Sequence, residues 1–302
     1  MLWGSLLPTA QAQPDTGPDN GVARYGACLA AQKQGELLIL VDESSSLQDT
    51  DGKAARVQAA KYLVQTLGRY ADRIQAKLDV AIAGFAESYV SEQDWTPLTG
   101  ATAQHVGDAL STLASKNTGI DTDYWLALDG ARQALASRGS GVGGADRCQA
   151  IAWFSDSKID FTARPLTKPY AEGVPLNSAN GVAETIRLAT ESICRPGGLA
   201  DQLRSRGIVM LGVGLGDAAR ASQFDVMSAI STGRASTECP AATSLNPLPA
   251  IFTGCPTSTT CCLPSIRSIP SPVYPSAKAR CASCRFARRP ATTSCWTGRS
   301  SR

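Results

Sequence analysis

Histidine is nearly absent from this chain: among 302 residues only His105 can supply an imidazole. A hydrolase that pairs a nucleophile with an imidazole base has that one candidate, and His105 falls inside the helical pattern Ala103–Ser115, where a lone histidine reads as a surface or capping residue. The Gly-x-Ser-x-Gly elbow of many serine hydrolases is missing too. No apolar stretch reaches the roughly eighteen residues that cross a bilayer as a helix, so the sequence offers no membrane span of that kind. Acidic residues are lacking locally: from Ala250 to Arg302 there are eight Lys or Arg and no Asp or Glu. The preceding part has twenty-one basic and twenty-six acidic residues, so the formal net charge of +3 conceals a mildly acidic body.

What is present suits a core-forming α/β chain, with 43% apolar residues. Short apolar runs at Leu37–Val41, Leu78–Phe85, Ala150–Phe154 and Ile208–Gly214 read as strands buried on both faces. Helix-length amphipathic segments separate them at Ala54–Ile74, Ala103–Ser115, Asp123–Ser137, Val182–Ser192, Leu199–Ser205 and Ala218–Ser231. The alternation predicts a doubly wound, mostly parallel sheet flanked by helices. Residues 1–13, apolar at Leu2, Trp3, Leu6 and Leu7 and ending in Ala10-Gln11-Ala12, read as the remnant of a signal peptide without its basic leader. Residues 14–33 read as a flexible lead-in, and 34–246 as the folded domain. A secreted or cell-surface protein with bacterial-type export is the expectation, and export would leave body cysteines oxidised. Cys28, Cys148 and Cys239 precede strands and Cys194 ends a helix, so the predicted disulfides are Cys28–Cys148 and Cys194–Cys239.

Directly after Leu37–Val41 comes Asp42-Glu43-Ser44-Ser45-Ser46. Asp42, Ser44 and Ser46 alternate, which puts one carboxylate and two hydroxyls on one side of the loop where a buried strand surfaces. Hard divalent cations, Mg²⁺ first among them, take such oxygen sets. A competing reading makes these residues helix caps, because a helical pattern begins near Ala54. Two more oxygen donors fall at matching places: Thr122 opens the helix Asp123–Ser137, and Asp156 follows the strand Ala150–Phe154. In doubly wound sheets ligands bind beyond the carboxyl ends of the strands, which is where all five fall.

With these five residues the stretch from about Gln34 to about Asn246 resembles the von Willebrand factor type A domain family. The resemblance implies a Rossmann-like fold and a metal-ion-dependent adhesion site made of Asp42, Ser44, Ser46, Thr122 and Asp156. Ser45 stands where many members have Gly. It further implies that Mg²⁺, or Mn²⁺ or Ca²⁺ in its place, is left with an open position for an Asp or Glu carboxylate of a protein partner. The segment Lys158–Gly181 leaves the same face and is positioned to border the ion, or is a plain surface excursion.

After about Asn246 the composition turns to Pro, Ser, Thr, Cys and Arg. Residues 247–302 read as a frameshifted, disordered tail: Ala250–Pro264 can be encoded so that the neighbouring frame gives Gly-Asp-Phe-His-Trp-Leu followed by an acidic helix start. On that reading the family's final strand and helix are missing, and Ile208–Gly214 becomes an exposed sheet edge with uncovered apolar surface. Cys281 and Cys284 lack the second pair and the His partners of a zinc site. The basic Arg285–Pro290 run gives no nucleic-acid partner, because shifted GC-rich DNA yields Arg, Pro and Ser by itself. Two other functions stay open. One is a scaffold domain in which the ion only stiffens the fold. The other is Mg²⁺-dependent phosphotransfer through Asp42 with Lys158 against the phosphate, although beside Asp42 the only further acid is Glu43, which alternation points away. Gly212–Gly216 does not follow the dinucleotide fingerprint.

Overall fold

The computed structural model describes residues 21–139, 147–215 and 224–231. In β1 (Gln34–Asp42) every residue of the run Leu37–Val41 is at 0% exposure. Alternation divides the run: Leu38 and Leu40 enter one core, while Leu37, Ile39 and Val41 enter the other. A strand apolar on both faces needs a covering layer on each side, and the helical crossovers that parallel neighbours require supply it. β2 (Lys77–Phe85) and β4 (Cys148–Ser155) flank β1 in parallel, β5 (Val209–Gly214) lies parallel to β4, and β3 (Tyr89–Pro97) runs antiparallel to β2. The order β3-β2-β1-β4-β5 is the expected doubly wound, mostly parallel arrangement.

Helices α1 (Gly21–Gln32), α3 (Ala55–Ile74) and α4 (Ala103–Thr112) bury their apolar sides in the core that holds Ile39. On the opposite face α5 (Tyr124–Ala136), α6 (Ala179–Cys194), α7 (Leu199–Ser205) and α8 (Asp225–Ser231) pack around Leu38, Leu40 and Trp153. The short α2 (Leu47–Thr50) continues the loop after β1.

Several expectations need correction. The lead-in is not flexible throughout: Gly21–Gln32 is a helix whose Tyr25 and Leu29, one turn apart, are 1% and 0% exposed. Cys28 of that helix is joined to Cys148 at the start of β4, which is the predicted bond. Cys194 is also disulfide-bonded, while Cys239 lies outside the described residues. β3 was not expected, because its sequence YVSEQDWTP has neither an apolar run nor clean alternation. The strand β5 is not stripped bare: Leu211 and Val213 share one core with α1, and Met210 shares the other with Met227 and Ile230 of α8. Residues 1–20 and 232–302, with the signal-peptide and frameshift readings that fall on them, lie outside the described residues.

Candidate metal centre

Asp42 ends β1 with no exposed surface, and the turn that follows folds back onto its carboxylate. The Ser44 amide donates to Asp42 Oδ1 at 2.8 Å and Ser155 Oγ donates to Oδ2 at 2.5 Å. This first loop is fixed to a second: Ser45 N–H donates to the Gly119 carbonyl at 2.7 Å and Gly119 N–H to the Glu43 carbonyl at 3.0 Å. The approach demands glycine, since a Cβ at Gly119 would stand 2.2 Å from the Ala86 methyl. From the first loop a line of oxygens runs to the third. Ser44 Oγ and Ser46 Oγ share a hydrogen bond at 3.0 Å, Ser46 Oγ donates to Asp156 Oδ1 at 3.1 Å, and Thr50 Oγ1 donates to Asp156 Oδ2.

Thr122, 3% exposed, stands in the second loop. Its N–H donates to the Asp160 carbonyl at 2.8 Å, the Asp160 N–H returns to its carbonyl at 3.3 Å, and its hydroxyl meets Ser157 Oγ at 3.3 Å. Ser44, Ser46, Thr122 and Ser157 line one cleft of about 220 Å³, with Asp121, Asp160, Ile120 and Lys158 also on its walls. Helix α5 starts one residue later than expected: its cap is Asp123, whose Oδ1 accepts from Leu126 N–H at 3.0 Å, and Thr122 is free of capping duty.

Burial, reinforced by the nearby charge of Asp156, pushes the Asp42 carboxyl up to about 7, against the opposing pull of hydrogen bonds from Ser155 and Ser44. Two buried carboxylates gathered with hydroxyls form an oxygen-only set that a hard divalent cation fits, and a cation there would relieve both the desolvation and the repulsion. Among the described residues no group of three or more His, Cys, Asp or Glu assembles, so an ion held at Asp42 and Asp156 would draw on hydroxyls for its other contacts. Glu43 is outside the group; its carboxylate lies over Gly84 and pairs with Lys116 at 3.7 Å.

A shell of supporting side chains was not singled out in the sequence. Ser155 and Ser157 were visible as the neighbours of Asp156, but Thr50 carried no signal. Tyr124 donates to Ser155 Oγ at 3.1 Å and to the Ser157 carbonyl, and its ring stands edge-on to Trp153 at 4.4 Å. The segment after Asp156 turns out to be anchored by charge. Lys168 Nζ lies 3.0 Å from Asp121 Oδ2 and 2.8 Å from Asp123 Oδ2, and Arg164 reaches both oxygens of Asp121 at 2.6 and 2.5 Å. Burial works against the Asp121 charge, yet Arg164, the Thr162 amide and Lys168 together hold its carboxyl below the usual range. For Asp123 burial prevails over Lys168 and raises it.

No curated protein matches the chain. Among solved structures it is similar to proximal thread matrix protein 1 from the mussel byssus in a structure titled as having a zinc-occupied MIDAS motif, at 15% identity and TM-score 0.41, covering 67% of this chain and 46% of that one. It is also similar to a von Willebrand factor type A protein from Catenulispora acidiphila, at 13% identity and TM-score 0.38 over 65% and 37% of the two chains. A pilus adhesin from Lactobacillus rhamnosus GG matches at 15% identity and TM-score 0.40 over 60% and 24%. The chain thus spans less than half the length of each of these three structures. Residues 37–158 match the family model described as the von Willebrand factor type A domain.

Proposed function

We propose that the domain is a metal-dependent protein-binding module of adhesion type, acting outside the cell. Asp42, Ser44, Ser46, Thr122 and Asp156 hold one divalent cation, Mg²⁺ or in its place Mn²⁺ or Ca²⁺, directly or through water. The observation that carries this reading is that Ser44, Ser46 and Thr122 line one open cleft, while the buried Asp42 and Asp156 carboxylates are hydrogen-bonded to the first of its loops, at the Ser44 amide and the Ser46 hydroxyl. Because most of the donors are neutral, the ion keeps much of its charge and favours an Asp or Glu carboxylate offered by a protein partner. The family match agrees with a binding role.

Phosphotransfer through Asp42 is disfavoured on this geometry. Both carboxylate oxygens already accept hydrogen bonds, and the residue has no exposed surface from which to attack a phosphorus atom. The proposed role is accordingly one of binding and not of catalysis. Calorimetric titration of Mg²⁺ and Mn²⁺ into the full chain tests the proposal. A single site that vanishes in Asp42→Ala is expected; the absence of any binding would overturn the metal-dependent reading.

A further inference from the structure

Lys168 is 3% exposed, and its ammonium is buried beside Asp123, the residue that caps helix α5. Its charge is met from two directions: Asp121 and Asp123 flank it at 3.0 and 2.8 Å, and the Glu87 carbonyl accepts from it at 3.3 Å. The Phe161 ring lies 5.1 Å from its nitrogen. Asp121 and Asp123 are the two neighbours of Thr122, so one cation clamps the backbone on both sides of a single hydroxyl. Tyr170 adds to the clamp, donating to Asp123 Oδ2 at 2.8 Å, as does Thr162, whose amide donates to Asp121 Oδ1 at 3.0 Å. Lys168, Tyr170 and Thr162 belong to the segment that follows Asp156, which means that the second and third loops of the cleft are tied to each other through charge and hydrogen bonds.

We propose that Lys168 is a positioning residue for the metal centre, holding Thr122 at the cleft by drawing Asp121 and Asp123 to one point. The inference rests on reading the cleft as a divalent-cation site. Lys168 is not among the residues that line the cleft. Outer residues that orient a metal ligand commonly change affinity by about 10- to 100-fold when removed, and that is the scale expected for Lys168→Met. A pure charge effect has the opposite sign, because deleting a nearby positive charge tightens cation binding.

The test is Mn²⁺ titrated into the full chain, read by water proton relaxation, for the wild type, Asp42→Ala, Thr122→Ala, Lys168→Met and the Thr122→Ala/Lys168→Met pair. Lys168→Met should weaken Mn²⁺ by about tenfold or more, and should weaken it little further once Thr122 is already Ala, since residues acting through one another are not additive. Unchanged or tighter binding in Lys168→Met overturns the inference, as does an equal loss in both backgrounds. Should Lys168→Met fail to fold, hydrogen exchange in the wild type decides: saturating Mn²⁺ should slow the Thr122 and Asp160 amides, and no change there overturns it. Failure of the underlying metal reading is distinguishable, because the wild type and Asp42→Ala would then both ignore Mn²⁺.

Discussion

Removing divalent ions from this protein should make it more stable in mild acid than at neutral pH, the reverse of ordinary acid denaturation. The cause is Asp42, whose carboxyl is raised from 3.8 to about 7 by burial first and by Asp156 second. Between those limits the folded chain binds a proton that the unfolded chain has released, so stability falls as pH rises through the interval. At 1.36 kcal/mol per unit the full effect is about 4 kcal/mol for this group alone. Asp123 and Glu43, also raised by burial, act in the same direction, while the lowered Asp121 opposes them. Urea unfolding in excess chelator, followed from pH 4 to pH 7.5, should show the midpoint decline across that range. Asp42→Asn should flatten most of the slope. Added Mg²⁺ should reverse it, because the ion displaces the proton; at a hundred times its dissociation constant it contributes about 2.7 kcal/mol. A metal-free midpoint that rises with pH, or that declines equally in Asp42→Asn, would refute the argument that Asp42 is a buried acid awaiting a cation.

Ser46→Ala removes the hydroxyl that joins Ser44 to Asp156 at 3.0 and 3.1 Å, and Mn²⁺ affinity should drop by about tenfold while the urea midpoint hardly moves. Gly119→Ala would press a methyl against Ala86 and the Glu43 carbonyl, at 2.2 and 3.1 Å, and should cost about 1–3 kcal/mol in urea unfolding together with weaker Mn²⁺ binding. Replacing Cys28 and Cys148 by Ala opens a link between residues 120 apart and should cost about 4–5 kcal/mol, read in the same unfolding assay, with Mn²⁺ affinity nearly unchanged because Cys148 starts the strand whose far end precedes Asp156. Arg56→Met strands the Asp51 carboxylate and the Leu113 and Lys116 carbonyls, and a loss of about 3–5 kcal/mol is expected by thermal or urea unfolding.

The parts of this molecule that sequence made legible are those where one local rule decides the outcome. Leu37–Val41 has to be a central strand because only burial on both faces accommodates an unbroken apolar run, and the position of Asp42 follows from where that run stops. Alternation then aims Ser44 and Ser46 together, and their hydroxyls do meet. Elements decided by distant contacts were illegible. Tyr89–Pro97 is a strand because Phe85 and its neighbours in β2 supply hydrogen-bond partners, and an edge position tolerates Ser91, Glu92 and Gln93 without burying them. Gly21–Gln32 contains two glycines and ends beside Lys33, yet Tyr25 donating to the Glu36 carbonyl at 3.0 Å and the Cys28 bond hold it to the sheet. The candidate site divides along the same line. Its five oxygen donors stand next to strand or helix ends and are readable one loop at a time, whereas the clamp of Lys168 on Asp121 and Asp123 spans more than forty residues of sequence and obeys no periodicity. Burying that charge between Asp121 and Asp123 fixes the loop that joins them, and the residue at its centre is Thr122.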